Sequence, residues 1–220
     1  MKIICSAANK GGVGKTTFVY NLAAYLRRNY RVLLIDFDDS CNLTNRYGSF
    51  QDKNQTVVSL FDYGTVVPIQ VEKNLDLIAG HKEVEQLKER LVSRSRRECI
   101  FGKWLAQNEE WLEKMYDYVL IDTENDEGIL TQNALIVSDL VVGIAEAGKD
   151  SFLALLNLKN FVSELNEDFQ TNAQVTFVAN KIHLKENASL ELLETLVGFS
   201  GYVGYLPHRT VLAEDKALFE

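Results

Sequence analysis

The sequence is poor in cysteine, proline and histidine, and it contains no long apolar run. Its 220 residues include three cysteines, two prolines and three histidines. Cys5, Cys41 and Cys99 are odd in number and widely spaced, which is typical of free thiols in a reducing cytoplasm and gives no zinc-ligand spacing. Because linkers, low-complexity stretches and repeats are missing, the pattern predicts a single domain over residues 1–220.

The apolar segments are too short to cross a membrane, since a spanning helix needs roughly 20 consecutive apolar residues. A strand-like pattern begins at residue 2 and leaves no room for a signal peptide. The last residues, 213–220, are short and acidic, unlike the basic amphipathic helix of a membrane-surface protein. We therefore expect a cytoplasmic protein that does not bind membranes.

The chain is acidic, with a net charge of −8 from 23 basic and 31 acidic side chains. Such a surface disfavours nucleic acids, because phosphate backbones attract basic proteins. Residues 81–103 differ, with seven basic and four acidic side chains, a balance that suits a DNA contact or a solvated helix end equally well. A smaller basic group comprises Lys181, His183, Lys185, His208 and Arg209.

The glycine-rich segment KGGVGKTT, residues 10–17, carries the clearest chemistry in the chain. It follows an apolar run that predicts a buried parallel strand, and it precedes a helical pattern that begins near Lys15. Its glycines let backbone N–H groups converge on phosphate, and the helix start adds a positive dipole end. Lys15 would bind the β and γ phosphates of ATP as a catalytic cation, and Thr16 would ligate Mg²⁺. The predicted nucleotide-binding residues of this loop are Gly11, Gly12, Val13, Gly14, Lys15, Thr16 and Thr17.

Two features depart from the ordinary phosphate-binding loop. Asn9 stands where its first glycine belongs, and Lys10 adds a second lysine. The segment thereby resembles the deviant Walker A loop of the ParA/MinD family of ATPases. By this resemblance, Lys10 is a catalytic residue that reaches the nucleotide of a partner subunit and stabilises charge there, as arginine fingers do. The alternative is a solvated lysine beside the loop.

The resemblance extends along nearly the whole chain and implies a P-loop NTPase. Helical stretches alternate with strand-like runs, which predicts an α/β fold with a mainly parallel, twisted sheet and helices on both faces. The strand-like runs lie near residues 2–8, 31–37, 75–80, 117–122, 139–146, 174–180 and 202–206. One helical stretch is expected to place an apolar face in the core, made of Leu153, Leu155, Leu156, Leu158 and Phe161.

Two acidic residues end the second predicted strand. Asp36 and Asp38 are similar to the acids of the family's D-x-D-P-Q motif. By resemblance, the catalytic Asp38 orients the attacking water and Asp36 supports Mg²⁺ through water. The alternative is that both carboxylates cap the following helix. Asp39 and Ser40 replace the family's Pro-Gln, which leaves the geometry of this turn open.

The segment Tyr118–Asp122 has the form of a Walker B strand, an apolar run that closes on one carboxylate. Asp122 is therefore expected to hold a magnesium-bound water. Residues 123–128 replace the family's usual proline pair and add three acids, which would repel ATP unless they point outward.

Two later residues resemble positions that the family uses against the base. Asn180 ends a predicted strand, and an amide can both donate to and accept from the adenine edge. Its alternative is local backbone bonding at a loop start. Pro207 resembles the proline that lies against the base, and its alternative is an ordinary turn residue.

The resemblance implies an ATPase, with ATP and Mg²⁺ as cofactors, that forms a homodimer on binding ATP. The dimer would hold nonspecific DNA, associate with the nucleoid and hydrolyse ATP slowly. Stimulation by a centromere-binding, ParB-like adaptor would then segregate or position plasmid or chromosomal DNA. Three alternatives differ in class: a MinD-like membrane switch, an iron–sulfur reductase, and a nucleotide-dependent dimerisation module without hydrolysis. The acidic residues 213–220 disfavour the first, and the lack of a cysteine pair beside Asp122 disfavours the second.

Overall fold

A computed structural model describes residues 1–209. The expectation that residues 213–220 do not form a membrane-binding helix concerns residues outside that range. The strands are β1 Lys2–Ala7, β2 Val32–Asp36, β3 Ile69–Glu72, β4 Leu75–Ile78, β5 Tyr118–Asp122, β6 Leu140–Glu146, β7 Gln174–Ile182 and β8 Tyr202–Pro207. The α-helices are α1 Lys15–Leu26, α2 Asn42–Asn45, α3 Val57–Tyr63, α4 Val84–Leu91, α5 Ile100–Gln107, α6 Glu109–Met115, α7 Ile129–Val137, α8 Ser151–Phe169 and α9 Asn187–Val197.

The strands form one sheet in the order β3-β4-β2-β5-β1-β6-β7-β8, and its pairings are parallel except that of β3 with β4. The predicted mainly parallel α/β sheet is confirmed, and each of the seven strand-like runs contains a strand. The edge strand β3 was missed. It is four residues long and contains Gln70 and Glu72, so its pattern is too short and too polar to stand out.

Helices cover both faces of the sheet, and β2 shows this most directly. Its five residues are all buried. Leu33 and Ile35 belong to a core cluster shared with α3, α4, α5, α7 and α8. Val32 and Leu34 belong to a second cluster shared with α1. Because successive strand side chains point to opposite faces, an uninterrupted apolar run is what a strand between two helix layers requires.

A buried aromatic cluster fixes the end of β2. Phe37 is fully buried, and its ring packs edge-on against those of Phe61 and Phe101, with 5.3 Å between centroids in each pair. Edge-to-face pairs of this kind add to the stabilisation from apolar burial. Since Phe37 lies between Asp36 and Asp38, its packing holds the backbone that carries both carboxylates.

The apolar face of α8 is narrower than the sequence predicted. Leu155 and Leu158 are buried and Phe161 packs against the core, but 53% of Leu153 is exposed. Two positions along a helix correspond to a rotation of about 200°, so Leu153 lies nearly opposite Leu155 and points to solvent. Within the range that the structure describes, no helix is long and apolar enough to cross a membrane.

Candidate functional site

The carboxyl ends of three adjacent strands meet at the predicted site. Ser6 of β1 and Asp36 of β2 both lie in register with Asp122 of β5. The loop after β1 and the loop after β2 therefore open at the same edge of the sheet, where open α/β folds bind ligands. An open cavity of about 610 Å³ lies there. It is lined by Gly12, Gly14, Lys15, Thr16, Thr17, Asp38, Asn42, Asn45, Arg46 and Asn125.

The backbone of the loop requires glycine at two positions. Gly12 and Gly14 have φ of 77° and 100°, in the left-handed region that other residues rarely adopt. A Cβ on Gly14 would lie 2.4 Å from Nδ2 of Asn180, so a side chain there would displace the Asn180 amide from its bond to the carbonyl of Val13. Helix α1 begins directly afterwards at Lys15, and its first N–H groups are free to bind an anion.

The Lys15 side chain is buried and donates a hydrogen bond to Oδ1 of Asn125. Burial lowers the pKa of Lys15, and the nearby charges of Asp122 and Asp38 act in the opposite direction. Asn125 was not predicted as a site residue, because it lies in an acidic segment that the family resemblance did not cover. The only signal was an amide among carboxylates just beyond the Walker B strand.

The three acids around Asn125 have partners beyond the cavity lining. Glu124 pairs with Lys88. Asp126 accepts a hydrogen bond of 3.0 Å from the Thr131 hydroxyl, and Glu127 accepts one of 2.8 Å from the Asn9 amide. Burial raises the pKa of Glu124 to about 7, against the effect of Lys88. Glu127 thus lies against Asn9 beside the phosphate loop, and the charge of Asp126 acts on Lys15, so the absence of repulsion toward a nucleotide stays a prediction.

Asp36 is fully buried, and both of its oxygens have protein donors. Oδ2 accepts from the backbone N–H of Thr44 at 2.9 Å and from its hydroxyl at 2.7 Å. Oδ1 accepts from the N–H of Asp38 at 3.1 Å. Thr44 lies in α2, so Asp36 caps the helix that follows β2. Capping of that helix is the alternative role given above for these acids. Its support of Mg²⁺ stays a prediction.

Asp38 lines the cavity although it is largely buried. Its Oδ1 accepts from the N–H of Ser40 at 2.8 Å, and its carbonyl accepts from the N–H of Cys41 at 3.1 Å. The turn after Asp38 therefore closes without the Pro-Gln pair, because an aspartate side chain can bond the backbone two residues on.

Asp122 is fully buried and has one unpartnered oxygen. Oδ1 accepts from the Ser6 hydroxyl at 3.3 Å, and the nearby Thr16 hydroxyl acts to lower the pKa of this carboxylate. Oδ2 has no hydrogen-bond partner among residues 1–209. Burial raises the pKa of Asp122, and burial together with the Asp122 charge raises that of Asp36. A buried acceptor without a donor beside the Thr16 hydroxyl fits a hydrated Mg²⁺ ion.

Lys10 lies outside the cavity lining and forms an ion pair with Glu146, the last residue of β6. The same carboxylate pairs with Lys181, whose ammonium group lies 3.0 Å away and also donates to the carbonyl of Gly12 at 2.5 Å. Glu146 was not predicted as a site residue, and Lys181 was named only as a member of the smaller basic group. Glu146 ends β6 and lies in register with Asn180 of the adjacent parallel strand β7. This position at the end of a strand was the signal that could have identified Glu146.

Asn180 and Pro207 are not among the residues that line the cavity. Asn180 is buried against the loop, and its Nδ2 donates to the carbonyl of Val13 at 2.8 Å. Pro207 is exposed at the end of β8, where it pairs with Ile182. Their roles toward the base stay predictions.

Comparison with protein families and curated proteins gives consistent matches. Residues 1–177 match the family model described as an AAA domain, AAA_31. The sporulation initiation inhibitor protein Soj of Bacillus subtilis is 30% identical over 226 residues, which cover 100% of this chain and 87% of Soj. A virulence plasmid ParA family protein of Chlamydia psittaci is 26% identical, over 89% of this chain and 76% of that protein.

Solved structures match over nearly the full length. A plasmid partition protein of Borrelia burgdorferi superposes with a TM-score of 0.85 at 26% identity, covering 97% of this chain and 94% of that one. A Borrelia burgdorferi plasmid partition protein bound to AMPPNP also gives 0.85, at 25% identity, covering 98% of this chain and 90% of that one. McdA from Cyanothece gives 0.87 at 19% identity over 99% and 92% of the two chains, and supports the fold alone.

Proposed function

Because the chain belongs to the AAA_31 family and is a ParA/MinD-type P-loop ATPase of the Soj-like partition group, we propose that it is an ATP-driven dimerisation switch that segregates or positions DNA. It would cycle between an ATP-bound homodimer and a monomer that forms after hydrolysis. The relatives named for plasmid partition support a DNA cargo of this kind.

In the proposed cycle, the loop of Gly11 to Thr17 binds the phosphates of ATP through its backbone N–H groups. Lys15 leaves Asn125 to bind the β and γ phosphates. Thr16 would ligate Mg²⁺, and Asp122 and Asp36 would support the ion through its bound water. The ion would offset the negative charge of the phosphate oxygens. Asp38, at the cavity wall, orients the water that attacks the γ-phosphate and yields ADP and inorganic phosphate. Asn180 and Pro207 contact the base.

The position of Lys10 is the observation that carries the proposal of a dimer. Its side chain is 55% exposed and lines a neighbouring cavity with Glu146 instead of the phosphate-loop cavity, although it is two residues from Gly12. A lysine held at the rim of an anion site is placed to serve the nucleotide of a second copy. Its charge would then stabilise the transferred phosphate, as an arginine finger does.

DNA and an adaptor complete the proposed function. In residues 81–103, Lys88, Arg90 and Arg97 are paired with acids, which weakens this segment as a DNA contact. In the second basic group His183 stacks on His208 at 4.3 Å between ring centroids, but Lys181 is paired with Glu146, so pairing with acids does not distinguish the two segments as DNA contacts. The net charge of −8 suits a basic, ParB-like adaptor that stimulates hydrolysis. The protein would act in the cytoplasm, on the nucleoid when it holds DNA.

The dimer is tested by the molar mass in solution with Mg²⁺ and ATP, ADP or no nucleotide, each with and without an unrelated DNA duplex. We expect a doubled mass with ATP alone, and DNA binding by that species only. K15A is expected to lose nucleotide binding, whereas K10A should bind ATP and stay monomeric. The proposal that Lys10 serves the nucleotide of a second subunit would be overturned by either of two results. One is a wild-type molar mass that does not change with ATP, and the other is a K10A variant that dimerises like the wild type.

Turnover separates the enzyme from a module that only binds nucleotide. We expect slow release of phosphate by the wild type, faster release with DNA and the adaptor, and none by K15A. ATP-dependent dimerisation without phosphate release under any of these conditions would instead favour the module without hydrolysis.

A further inference from the structure

Arg46 enters the nucleotide cavity from the residue after α2 and lies outside every motif that identified the site. Its Cζ lies 4.6 Å from the ring centre of Tyr20, in a cation–π contact. Its Nη2 lies 3.5 Å from the hydroxyl of Thr17, which belongs to the phosphate-binding loop. Helix α1 therefore supplies both contacts, and together they hold the guanidinium beside the loop.

The guanidinium has an unused donor in this position. Nη1 of Arg46 is buried and has no hydrogen-bond partner among the described residues. A buried N–H group without an acceptor is costly, and more so on a charged group. Lys15 differs, because its ammonium group already bonds Asn125. Arg46 lines the cavity, so an acceptor of a bound ligand that reaches the guanidinium would satisfy this donor.

The charges of the cavity indicate what that acceptor is. Its charged lining residues are Lys15, Asp38 and Arg46. Lys15 and Asp38 balance each other, so Arg46 alone makes the lining cationic. The planar guanidinium matches phosphate oxygens with paired N–H donors, which favours a phosphate over a neutral ligand.

We infer that Arg46 is a nucleotide-binding residue, whose guanidinium donates to a phosphate of ATP or ADP on the Thr17 side of the loop. The inference deepens the proposed function and rests on it, because it assumes a nucleotide in this cavity. It adds a specificity determinant in cis, distinct from the in-trans lysine. Arg46 then helps to hold the diphosphate after hydrolysis as well as the triphosphate before it.

The test measures dissociation constants for MgATP and MgADP by calorimetry with the wild type and with R46M, R46K and R28M. Methionine keeps an unbranched stem over Tyr20 but removes the charge and donors. Arg28 is exposed just beyond the end of α1, about 20 Å along the helix axis from Lys15, so R28M matches the loss of charge. We expect R46M to bind both nucleotides about 10- to 100-fold more weakly, R46K to fall between, and R28M to match the wild type.

The melting temperature without nucleotide distinguishes binding from folding. We expect R46M to melt close to the wild type in the absence of nucleotide and to gain less on adding MgATP. Wild-type affinity of R46M for both nucleotides would overturn the inference and leave the proposed function standing. Equal weakening in R46M and R28M would also overturn it. Failure of the wild type to bind MgATP would remove the proposed function and the inference together.

Discussion

The ammonium group of Lys10 lies 3.2 Å from Oε1 of Glu146. The other oxygen of Glu146 pairs with Lys181, which also donates to the carbonyl of Gly12. Burial raises the pKa of Glu146, but the bonds from Lys181 and Lys10 outweigh it and hold the pKa below its ordinary value. Lys10 must leave this carboxylate before it can reach another subunit.

The first prediction concerns release of that lysine. In E146Q the ion pairs of Glu146 with Lys10 and with Lys181 are both lost, so Lys10 is freer to engage a second copy, and dimers should form at a lower ATP concentration. Because a partly exposed ion pair contributes about 0.5–1 kcal/mol, we expect a shift of roughly two- to fivefold. The measurement is the dimer fraction against ATP concentration by analytical ultracentrifugation.

The matched control is E110Q. Glu110 pairs with Lys114 on α6, which precedes the amino end of β5, and its loss changes the net charge equally. We expect the E110Q curve to overlay that of the wild type. A leftward shift of the same size in both variants would assign the effect to net charge and not to Lys10.

The second prediction concerns Asp38. D38A should bind MgATP and dimerise, because the phosphate loop and Lys10 are unchanged, yet phosphate release should fall at least about 100-fold when the attacking water is no longer oriented. The dimer should therefore persist after ATP addition, which light scattering over time would follow. Phosphate release at the wild-type rate would show that Asp38 does not position the water.

The third prediction concerns the support of Asp36. The Thr44 hydroxyl donates to Asp36 and accepts from the N–H of Gly80 at 2.8 Å. T44V has a similar shape but leaves buried polar groups unpaired, so it should lower the free energy of unfolding by about 2–3 kcal/mol. Urea denaturation measures this loss.

Thr195 provides the control for the loss of a hydroxyl. Its side chain is exposed on α9 and donates to the carbonyl of Glu191 at 2.8 Å. Since water can replace that bond, T195V should change the free energy of unfolding by less than about 0.5 kcal/mol. Equal losses in T44V and T195V would show that the Asp36 contact adds nothing specific.

The fourth prediction concerns pH. Burial raises the pKa of Asp122 in the folded state, so folding favours its protonated form. Stability is therefore fully present below the unfolded-state pKa and is lost as pH rises through the folded-state pKa. D122N removes this titration, and it should stabilise the nucleotide-free protein relative to the wild type at pH 8 by about 1–2 kcal/mol more than at pH 5.

Melting temperatures of wild type and D122N at both pH values check this sign. D168N is the control, because it makes the same Asp-to-Asn change at an exposed position near the end of α8. We expect the D168N difference from wild type to be small and independent of pH. A D122N variant that is relatively more stable at pH 5 would contradict the raised pKa.

The strands and the phosphate loop could be predicted because their signals are local. The run Val32–Asp36 is apolar at every position before its acid, and the loop is specified by adjacent glycines and lysines. The edge strand β3 escaped because four residues with two polar side chains give no clear period. The prediction that Leu153 faces the core was wrong, because several closely spaced leucines do not show which of them face the sheet.

The partners of the site residues could not be predicted in the same way. Lys15 meets Asn125 across 110 positions of sequence, and Asn180 meets Val13 across 167. Arg46 contacts Tyr20 and Thr17 because it follows α2, which packs beside α1. The sequence alone did not indicate these contacts. A single sequence records neither these distances nor the direction in which each side chain points.

The chain's own order of residues determined the phosphate loop, its second lysine and the alternation of strands and helices, because each depends on neighbours within a few positions. Tertiary structure alone decided that Glu146 holds Lys10, that Asn125 holds Lys15, and that Arg46 faces the cavity with an unused donor. These outcomes depend on strand register and helix packing, which bring distant side chains within hydrogen-bonding range.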